Sequence, residues 1–237
     1  MRSTLLFLLM LAGSVCGYSQ NTWVRSLGKT SQDYGYALER TKDGGHIIAG
    51  ATNSYGGTNY LYLLKTNANG DTSWVRSYAT GGSIYGYSVD QTDDKGYIIA
   101  GSSGLMRTDS MGIELWGFYY NSTTFYSARH TYDGGFIAVA SIGSSTSSTG
   151  FDIILMKLNA NGIKQWSRQI NGPLDEVLTC VRQTADSGYV LLGYTTSFGA
   201  GANDLFLVKT NKIGDTLWTK TYGGNVKEGS ARCMQNL

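Results

Sequence analysis

Hydrophobic and polar residues alternate along the chain in short runs, separated by clusters of glycine, asparagine and aspartate. The first period shows the pattern, with apolar-rich runs at residues 34–41, 46–52, 60–66 and 72–78. Such runs, bounded by Asn-Gly or Asp-Gly-Gly, are typical of β-hairpins, because these turns need residues that tolerate left-handed backbone angles. Beyond residue 19 no segment has a helical period. The pattern predicts an all-β chain.

The pattern also repeats at long range. A phrase of ten residues occurs four times, as "TKDGGHIIAG" (41–50), "TDDKGYIIAG" (92–101), "TYDGGFIAVA" (131–140) and "TADSGYVLLG" (184–193). Its aspartates are 51, 39 and 53 residues apart, and the five tryptophans of the chain are 51, 42, 50 and 52 residues apart. Two independent markers therefore give a unit of about fifty residues, with one shortened unit.

Each unit contains four predicted strands, which is the content of one β-propeller blade. A four-stranded sheet cannot cover both of its apolar faces alone, so neighbouring blades must stack on each other. We therefore predict a β-propeller-type array of four-stranded antiparallel blades, four complete and one partial, in an incomplete ring. The repeat units are about 29–78, 79–120, 121–170 and 171–222, with a partial unit at 223–237.

The predicted strands do not add up to a whole number of blades, as a closed ring would require. A tryptophan strand at 22–28 precedes the first full unit, and the last residues begin a new first strand. Together these pieces make half a blade. We expect either an open arc of blades or a chain that continues past Leu237, and we favour continuation because the next turn phrase is due within about five residues.

The first nineteen residues have the pattern of a secretory signal peptide. Arg2 supplies the positive start, residues 5–12 are uninterrupted apolar, and a small-residue segment ends at Ser19. We expect cleavage near Ser19 and a mature domain at 20–237, secreted or on the outer cell surface. Cys16 raises the alternative of a lipoprotein, but Val15 occupies a position where lipidation signals carry a small residue. No later segment has the ~20 apolar residues of a membrane helix.

Composition and charge exclude some partners. The net charge is +2 and the chain has no basic cluster, whereas nucleic-acid surfaces need concentrated Lys and Arg. We therefore predict no nucleic-acid partner.

After cleavage two cysteines remain, Cys180 and Cys233. They fall in corresponding strands of successive units, which stand too far apart for a disulfide. We expect two buried or partly buried thiols.

One resemblance covers nearly the whole mature chain. The segments "QTDDKGYIIAG" (91–101), "QTADSGYVLLG" (183–193), "LVKTNKIGDTLW" (207–218) and "TYGG" (221–224) resemble secreted bacterial propeller-repeat proteins of the Bacteroidetes type. The resemblance implies a propeller fold and export, and it implies little about function. The C-terminal sorting domain that many such proteins carry has no counterpart in this sequence.

A narrower resemblance concerns glycine and tryptophan. Four Gly-x-x-x-Trp segments are similar to the tryptophan-docking motif of quinoprotein dehydrogenase-like propellers, which implies indoles packed between blades. The blade-packing residues are then Trp23, Trp74, Trp116, Trp166 and Trp218, with Gly70, Gly112, Gly162 and Gly214. The usual Ala and Thr of the motif, an adjacent-cysteine pair and a calcium-binding set are missing, so we predict no quinone and no other cofactor.

Candidate binding residues lie on one face of the array. The tight turns point to one end of the blades, and the longer, variable loops point to the other, where function tends to gather. Aromatic rings on these loops could stack on sugars, with hydroxyl and amide groups bonding the sugar rim, or they could simply cap the sheet ends. The candidates are Tyr34, Tyr55, Tyr85, Phe125, Phe198 and Asn203.

The sequence supports catalytic or metal-binding residues less well than the aromatic candidates. His46 and His130 have no cysteine or carboxylate at metal-ligand spacing, so we predict no metal site. Asp33, Asp175 and Glu228 recur at the starts of first strands and could act as acid–base groups or cation ligands. Capping of turns is the simpler interpretation.

Two functional hypotheses follow. The leading one is a non-catalytic secreted propeller scaffold that binds a glycan or a surface protein. The alternative is a fragment of a secreted propeller enzyme, either a glycan-active hydrolase or lyase or a quinoprotein-like oxidoreductase. An enzyme needs at least two carboxylates, or a metal with its ligands, converging at the central opening of the propeller. A binding protein needs only aromatic and amide groups there.

Overall fold

The computed structural model describes residues 32–54, 59–79, 84–119, 123–143, 151–200 and 203–225. Within these ranges the chain forms strands and turns and no helix. The strands of the first two blades are β1 (Asp33–Arg40), β2 (His46–Thr52), β3 (Tyr60–Thr66), β4 (Thr72–Tyr78), β5 (Gly86–Gln91), β6 (Tyr97–Gly101), β7 (Gly104–Thr108) and β8 (Glu114–Tyr119). The strands of the last two are β9 (Thr124–His130), β10 (Phe136–Gly143), β11 (Phe151–Leu158), β12 (Lys164–Ile170), β13 (Glu176–Gln183), β14 (Tyr189–Thr195), β15 (Asp204–Thr210) and β16 (Thr216–Tyr222).

The sixteen strands form four separate four-stranded sheets. Blade 1 is β1–β4, blade 2 is β5–β8, blade 3 is β9–β12 and blade 4 is β13–β16, each antiparallel and in chain order. The first strands β1, β5, β9 and β13 contact one another in sequence, so they are the inner strands around a common axis. This arrangement confirms the predicted all-β array of antiparallel blades.

The core lies between the blades rather than within any one of them. One apolar cluster joins blades 1 and 2 through Leu63 and Ile99. A second joins blades 2 and 3 around Leu105 and Phe136, and a third joins blades 3 and 4 through residues that include Ile153. Each sheet therefore depends on its neighbour to remove an apolar face from water.

The four sheets do not close into a ring. Leu38 on the inner strand of blade 1 is 63% exposed, and Trp218 on the outer strand of blade 4 is 41% exposed. The faces that these side chains occupy are uncovered among the described residues. The blades form an arc around the axis.

The repeated ten-residue phrase forms the turn between the first and second strands of each blade. In blade 3, Thr131 Oγ1 and the Gly135 N–H both donate to Asp133 Oδ1, at 2.6 and 3.1 Å. Lys157 on β11 is almost fully buried, and its Nζ lies 2.9 Å from Asp133 Oδ2. The same arrangement occurs in the other blades, with the pairs Asp43–Lys65, Asp94–Arg107 and Asp186–Lys209. The phrase thus supplies the counterion for a buried cation on the third strand.

This ion pair predicts a pH dependence of stability. Burial alone would raise the pKa of Asp133, but hydrogen bonds from Thr131 and Lys157 outweigh it and lower the pKa to about 2. Because the folded pKa lies below the unfolded one, the carboxylate stabilises the fold fully above about pH 5 and progressively less as the pH falls toward 2. Since the Asp133 side chain is 58% exposed and therefore screened by solvent, we expect Asp133→Asn to cost about 1 kcal/mol at pH 7.

Urea unfolding of the wild type and Asp133→Asn between pH 7 and pH 2.5 tests this expectation. The two free energies of unfolding should converge as the pH falls. A difference that stays constant over the whole range would contradict the role given to the ionised carboxylate.

Candidate functional site

Each inner strand contains a β-bulge at the same place in the repeat. In blade 1 the pairing of β1 with β2 passes from Gly35 to Ala37 and leaves Tyr36 without an opposite residue. A bulged residue bends its strand and redirects its side chain. The four bulge residues, one in each inner strand, are Tyr36, Tyr87, Tyr126 and Thr179. Three tyrosines and one threonine therefore converge on the axis of the array.

The tyrosine rings are in contact across three blades. Tyr36 meets Tyr87 edge to face with ring centroids 5.5 Å apart, and Tyr87 stacks on Tyr126 at 5.9 Å. Tyr85 lies 6.2 Å from Tyr87 and 6.0 Å from Tyr36. Tyr34 stacks on Tyr36 at 6.2 Å. These five residues form a continuous aromatic wall, which we call the tyrosine wall.

The tyrosine wall borders a cavity of about 610 Å³, the axial cavity. This volume is within the range of small-molecule sites. The cavity is lined by Tyr36, Tyr85, Tyr87, Tyr126, Val177, Thr179 and Tyr194. It lies at the loop end of the axis, because the bulge in β1 is next to Gly35, which pairs with Gly50 close to the end of β2. Asn59 Nδ2 donates to the hydroxyl of Tyr85 at 2.7 Å and fixes that ring.

Four of the tyrosine hydroxyl groups that line the cavity remain protonated at neutral pH. Burial raises the pKa of Tyr36, Tyr87, Tyr126 and Tyr194. For Tyr87 the neighbouring phenols, Tyr126 first among them, add to the effect of burial. A protonated phenol both donates and accepts a hydrogen bond. The cavity therefore presents aromatic faces and neutral hydroxyl groups together.

The opposite, turn end of the axis is charged. Glu39 Oε1 lies 3.7 Å from Arg129 Nη1 and 3.9 Å from Arg182 Nη2. Asp90 Oδ1 lies 3.9 Å from the same Arg129 nitrogen. Burial raises the pKa of both carboxyl groups, and Arg129 opposes this rise. These residues occupy one repeat position, four before the turn aspartate, and they pair with each other there.

Two of the aromatic residues predicted from the loops belong to the tyrosine wall. They are Tyr34, at its outer end, and Tyr85, which also lines the axial cavity. Tyr55 lies outside the described residues. The structure thus brings together two members of the predicted set.

The other predicted residues lie elsewhere. Phe125 is 1% exposed in the core between blades 2 and 3, so its ring does not reach the surface and we leave it out of the proposed site. Phe198 is 43% exposed and stacks on Phe206 with ring centroids 5.8 Å apart. Asn203 is half-buried just before β15. Phe198 and Asn203 are absent from the lining of the axial cavity.

Sequence reasoning missed six of the seven lining residues, which are Tyr36, Tyr87, Tyr126, Val177, Thr179 and Tyr194. A signal existed, because the bulge residues all stand seven positions before the turn aspartate. Aligning the units on that aspartate places three tyrosines and a threonine in one column. The alignment does not show that this column is bulged, so the inward direction of the side chains stays hidden.

The tryptophan–glycine pairs lie between blades. A Cβ on Gly112 would come within 2.9 Å of the Trp74 ring, and one on Gly162 within 2.9 Å of the Trp116 ring. A Cβ on Gly214 would come within 2.5 Å of the Trp166 ring. Each of these glycines has a positive φ in an Asn-x-x-Gly or Asp-x-x-Gly turn of the following blade. The absence of a side chain lets the indole lie on the turn. Trp23 lies outside the described residues.

The weaker candidates lie apart from the axial cavity. His130 Nε2 is 3.7 Å from Asp93 Oδ2 on a tight turn, and His46 is half-buried on β2. Asp175 Oδ1 accepts a hydrogen bond of 3.0 Å from the Phe151 N–H, which is a capping role. Asp33 is half-buried at the start of β1. Glu228 and Cys233 lie outside the described ranges, whereas Cys180 is buried.

Neither a metal-ligand cluster nor a membrane-spanning helix occurs among the described residues. No group of three or more His, Cys, Asp or Glu side chains there is placed to hold a metal ion. No helix long and apolar enough to cross a membrane occurs in the same ranges. The predicted signal peptide at 1–19 lies outside them.

The fold and the axial cavity define a propeller-type array of blades. No protein-family model and no curated protein matches the sequence. A solved structure of a protein of unknown function from Bacteroides caccae is similar, with a TM-score of 0.49 and 15% sequence identity. The match covers 76% of this chain and 59% of that protein.

Proposed function

We propose that the chain is a non-catalytic, exported binding scaffold whose axial cavity takes a glycan. The observation that carries the proposal is the tyrosine wall, built from rings of three blades and bordering a cavity of about 610 Å³. Aromatic rings stack on the apolar faces of sugars, and hydroxyl groups at their edges bond the sugar hydroxyls. Export rests on the signal-peptide pattern of residues 1–19.

The neutral lining supports a sugar without charged groups. None of the seven lining side chains is charged, and the carboxylates of Glu39 and Asp90 are near arginines at the other end of the axis. A concave, partly apolar site of this volume also suits a small molecule better than a protein surface, since specific protein interfaces bury about 800 Å² on each partner.

The lining does not favour the enzyme hypothesis. Hydrolysis of a glycosidic bond needs two carboxyl groups about 5–10 Å apart on either side of the bond. The side chains that line the axial cavity are tyrosine, valine and threonine. We therefore expect a bound glycan to be recovered uncleaved.

A glycan array with the purified mature chain, followed by titration of the best ligand, tests the proposal. We expect Tyr87→Ala to weaken binding at least tenfold, because it removes the ring at the centre of the tyrosine wall. Tyr87→Phe should retain most of the affinity, since the stacking face remains. The matched control is Tyr132→Ala, because Tyr132 is 71% exposed on a tight turn outside the axial cavity.

Three outcomes would contradict the proposal. They are the absence of any glycan ligand for the wild type, equal binding by Tyr87→Ala, and cleavage of the bound sugar. Thermal melts of each variant should accompany the titration, so that loss of binding is separated from loss of folding.

A further inference from the structure

Blade 4 carries two buried carboxyl groups, one on each side of a threonine, at the loop end of the sheet. Glu176 on β13 pairs with Thr195 on β14, and Thr195 pairs with Asp204 on β15. Residues directly opposite each other point to the same face of a sheet. Glu176 and Thr195 are 0% exposed and Asp204 is 2% exposed. The three side chains form a row across one face, which we call the carboxylate row.

The carboxylate row faces blade 3. Leu178 and Phe206 lie two residues further along β13 and β15 on the same face, and both pack with blade 3 residues that include Ile153. Ser141 on β10 pairs directly with Ile153, so its side chain lies on the face that blade 3 presents to blade 4. Ser141 is 4% exposed. Four oxygen-bearing side chains therefore occupy the loop end of this interface.

Three oxygen atoms of this set lack a hydrogen-bond partner within the described part of the chain. Glu176 Oε1 accepts from Thr195 Oγ1 at 2.9 Å, and Asp204 Oδ2 accepts from the Ala200 N–H at 2.7 Å. The other carboxylate oxygens, Glu176 Oε2 and Asp204 Oδ1, are buried without a partner, as is Ser141 Oγ. Burying a carboxylate with an unsatisfied oxygen is costly unless a positive group is nearby. In the described ranges neither carboxylate forms an ion pair with Lys or Arg.

We propose that the carboxylate row, with Ser141, binds a calcium ion between blades 3 and 4. All the donors are oxygen atoms, which hard cations prefer to the nitrogen and sulfur ligands typical of zinc. A divalent ion matches the charge of two carboxylates. Calcium accepts irregular sets of six to eight oxygens that include carbonyls and water, whereas magnesium needs near-ideal octahedral geometry.

With two carboxylates, the site should bind weakly and serve the structure. Its dissociation constant should be about 10⁻⁴–10⁻³ M, the range of extracellular calcium modules. The ion would stabilise the interface between blades 3 and 4, beside the loops that surround the axial cavity. This role is independent of any glycan.

Blade 3 offers a matched control. Asp152 stands five residues before Lys157, as Asp204 stands five residues before Lys209. The residue equivalent to Glu176, ten before the turn aspartate, is Thr123 in blade 3. Asp152 therefore occupies the repeat position of Asp204, in a blade that has Thr123 where blade 4 has Glu176.

Thermal melts in EDTA, in 10 mM Ca²⁺ and in 10 mM Mg²⁺ at equal ionic strength test the calcium site. We expect Ca²⁺ to raise the Tm of the wild type by about 3 °C or more, with a smaller effect of Mg²⁺. Asp152→Asn should keep this rise, whereas Glu176→Gln and Asp204→Asn should lose it. Calorimetric titration should give one Ca²⁺ per chain.

The proposal fails if calcium leaves the wild-type Tm at its EDTA value, which would mean that a proton or water satisfies the row. It also fails if Glu176→Gln and Asp204→Asn respond to calcium as the wild type does. Since the first comparison uses only the wild type, the test does not depend on either variant folding.

Discussion

Replacing Trp166 by alanine is expected to lower the free energy of unfolding by about 3 kcal/mol. The Trp166 indole lies on Gly214 of blade 4, where an added Cβ would come within 2.5 Å of its ring, and its ring centroid is 5.9 Å from that of Tyr189. Alanine would leave a void between blades 3 and 4. Urea unfolding followed by circular dichroism measures the loss, and the Tm should fall by about 6–12 °C.

Trp218 is the matched control, because it occupies the same repeat position but is 41% exposed. Trp218→Ala should cost less than about 1 kcal/mol, since a surface side chain away from the core contributes little. Equal losses for Trp166→Ala and Trp218→Ala would contradict the role of the tryptophans as packing between successive blades.

The second large effect concerns Phe125, which the sequence placed among the loop aromatics. Phe125 is 1% exposed and packs between blades 2 and 3, so Phe125→Ala should cost about 3–5 kcal/mol. Phe198 is 43% exposed and only covers Phe206. Phe198→Ala should cost about 1 kcal/mol. The same urea experiment measures both.

The two phenylalanine variants also separate core packing from binding. Phe198→Ala should bind a glycan ligand like the wild type, because its ring does not line the axial cavity. A Phe125→Ala variant as stable as the wild type would show that the register of β9 is wrong. A loss of glycan binding by stable Phe198→Ala would place the ligand on the outer loops instead.

Much of the fold could be predicted from the sequence, because its signals are local and repeated. The turns fix the hairpins, and the predicted strand at 46–52 coincides with β2 (His46–Thr52). Alternation of apolar residues gives the two faces of each sheet. Stacking then follows from the need to cover both faces.

The site was harder to predict, because it depends on a backbone irregularity. In "TFYSARH" (124–130) strict alternation does not tell which of Phe125 and Tyr126 points to the axis. The bulge decides it, since Tyr126 has no opposite residue and is directed into the axial cavity whereas Phe125 is buried between blades. The turn phrase marks the position of the bulge but not its geometry.

The carboxylate row illustrates the same limit at longer range. Glu176 and Asp204 are 28 residues apart in the chain, and nothing in their local sequence links them. Their alignment arises from the register of three strands, with Thr195 between them. Pairing registers of this kind follow from the whole sheet rather than from any short segment.

The central claim is that tyrosines from three repeats meet at one axis, and nuclear Overhauser spectroscopy tests it most directly. In a sample with ring-labelled tyrosine, assigned by single Tyr→Phe substitutions, we predict cross-peaks between Tyr36 and Tyr87 and between Tyr87 and Tyr126. Their ring centroids are 5.5 and 5.9 Å apart, although the residues are 51 and 39 positions apart in the sequence. Absence of both cross-peaks in the folded protein would contradict the arrangement of the inner strands and the axial cavity that it creates.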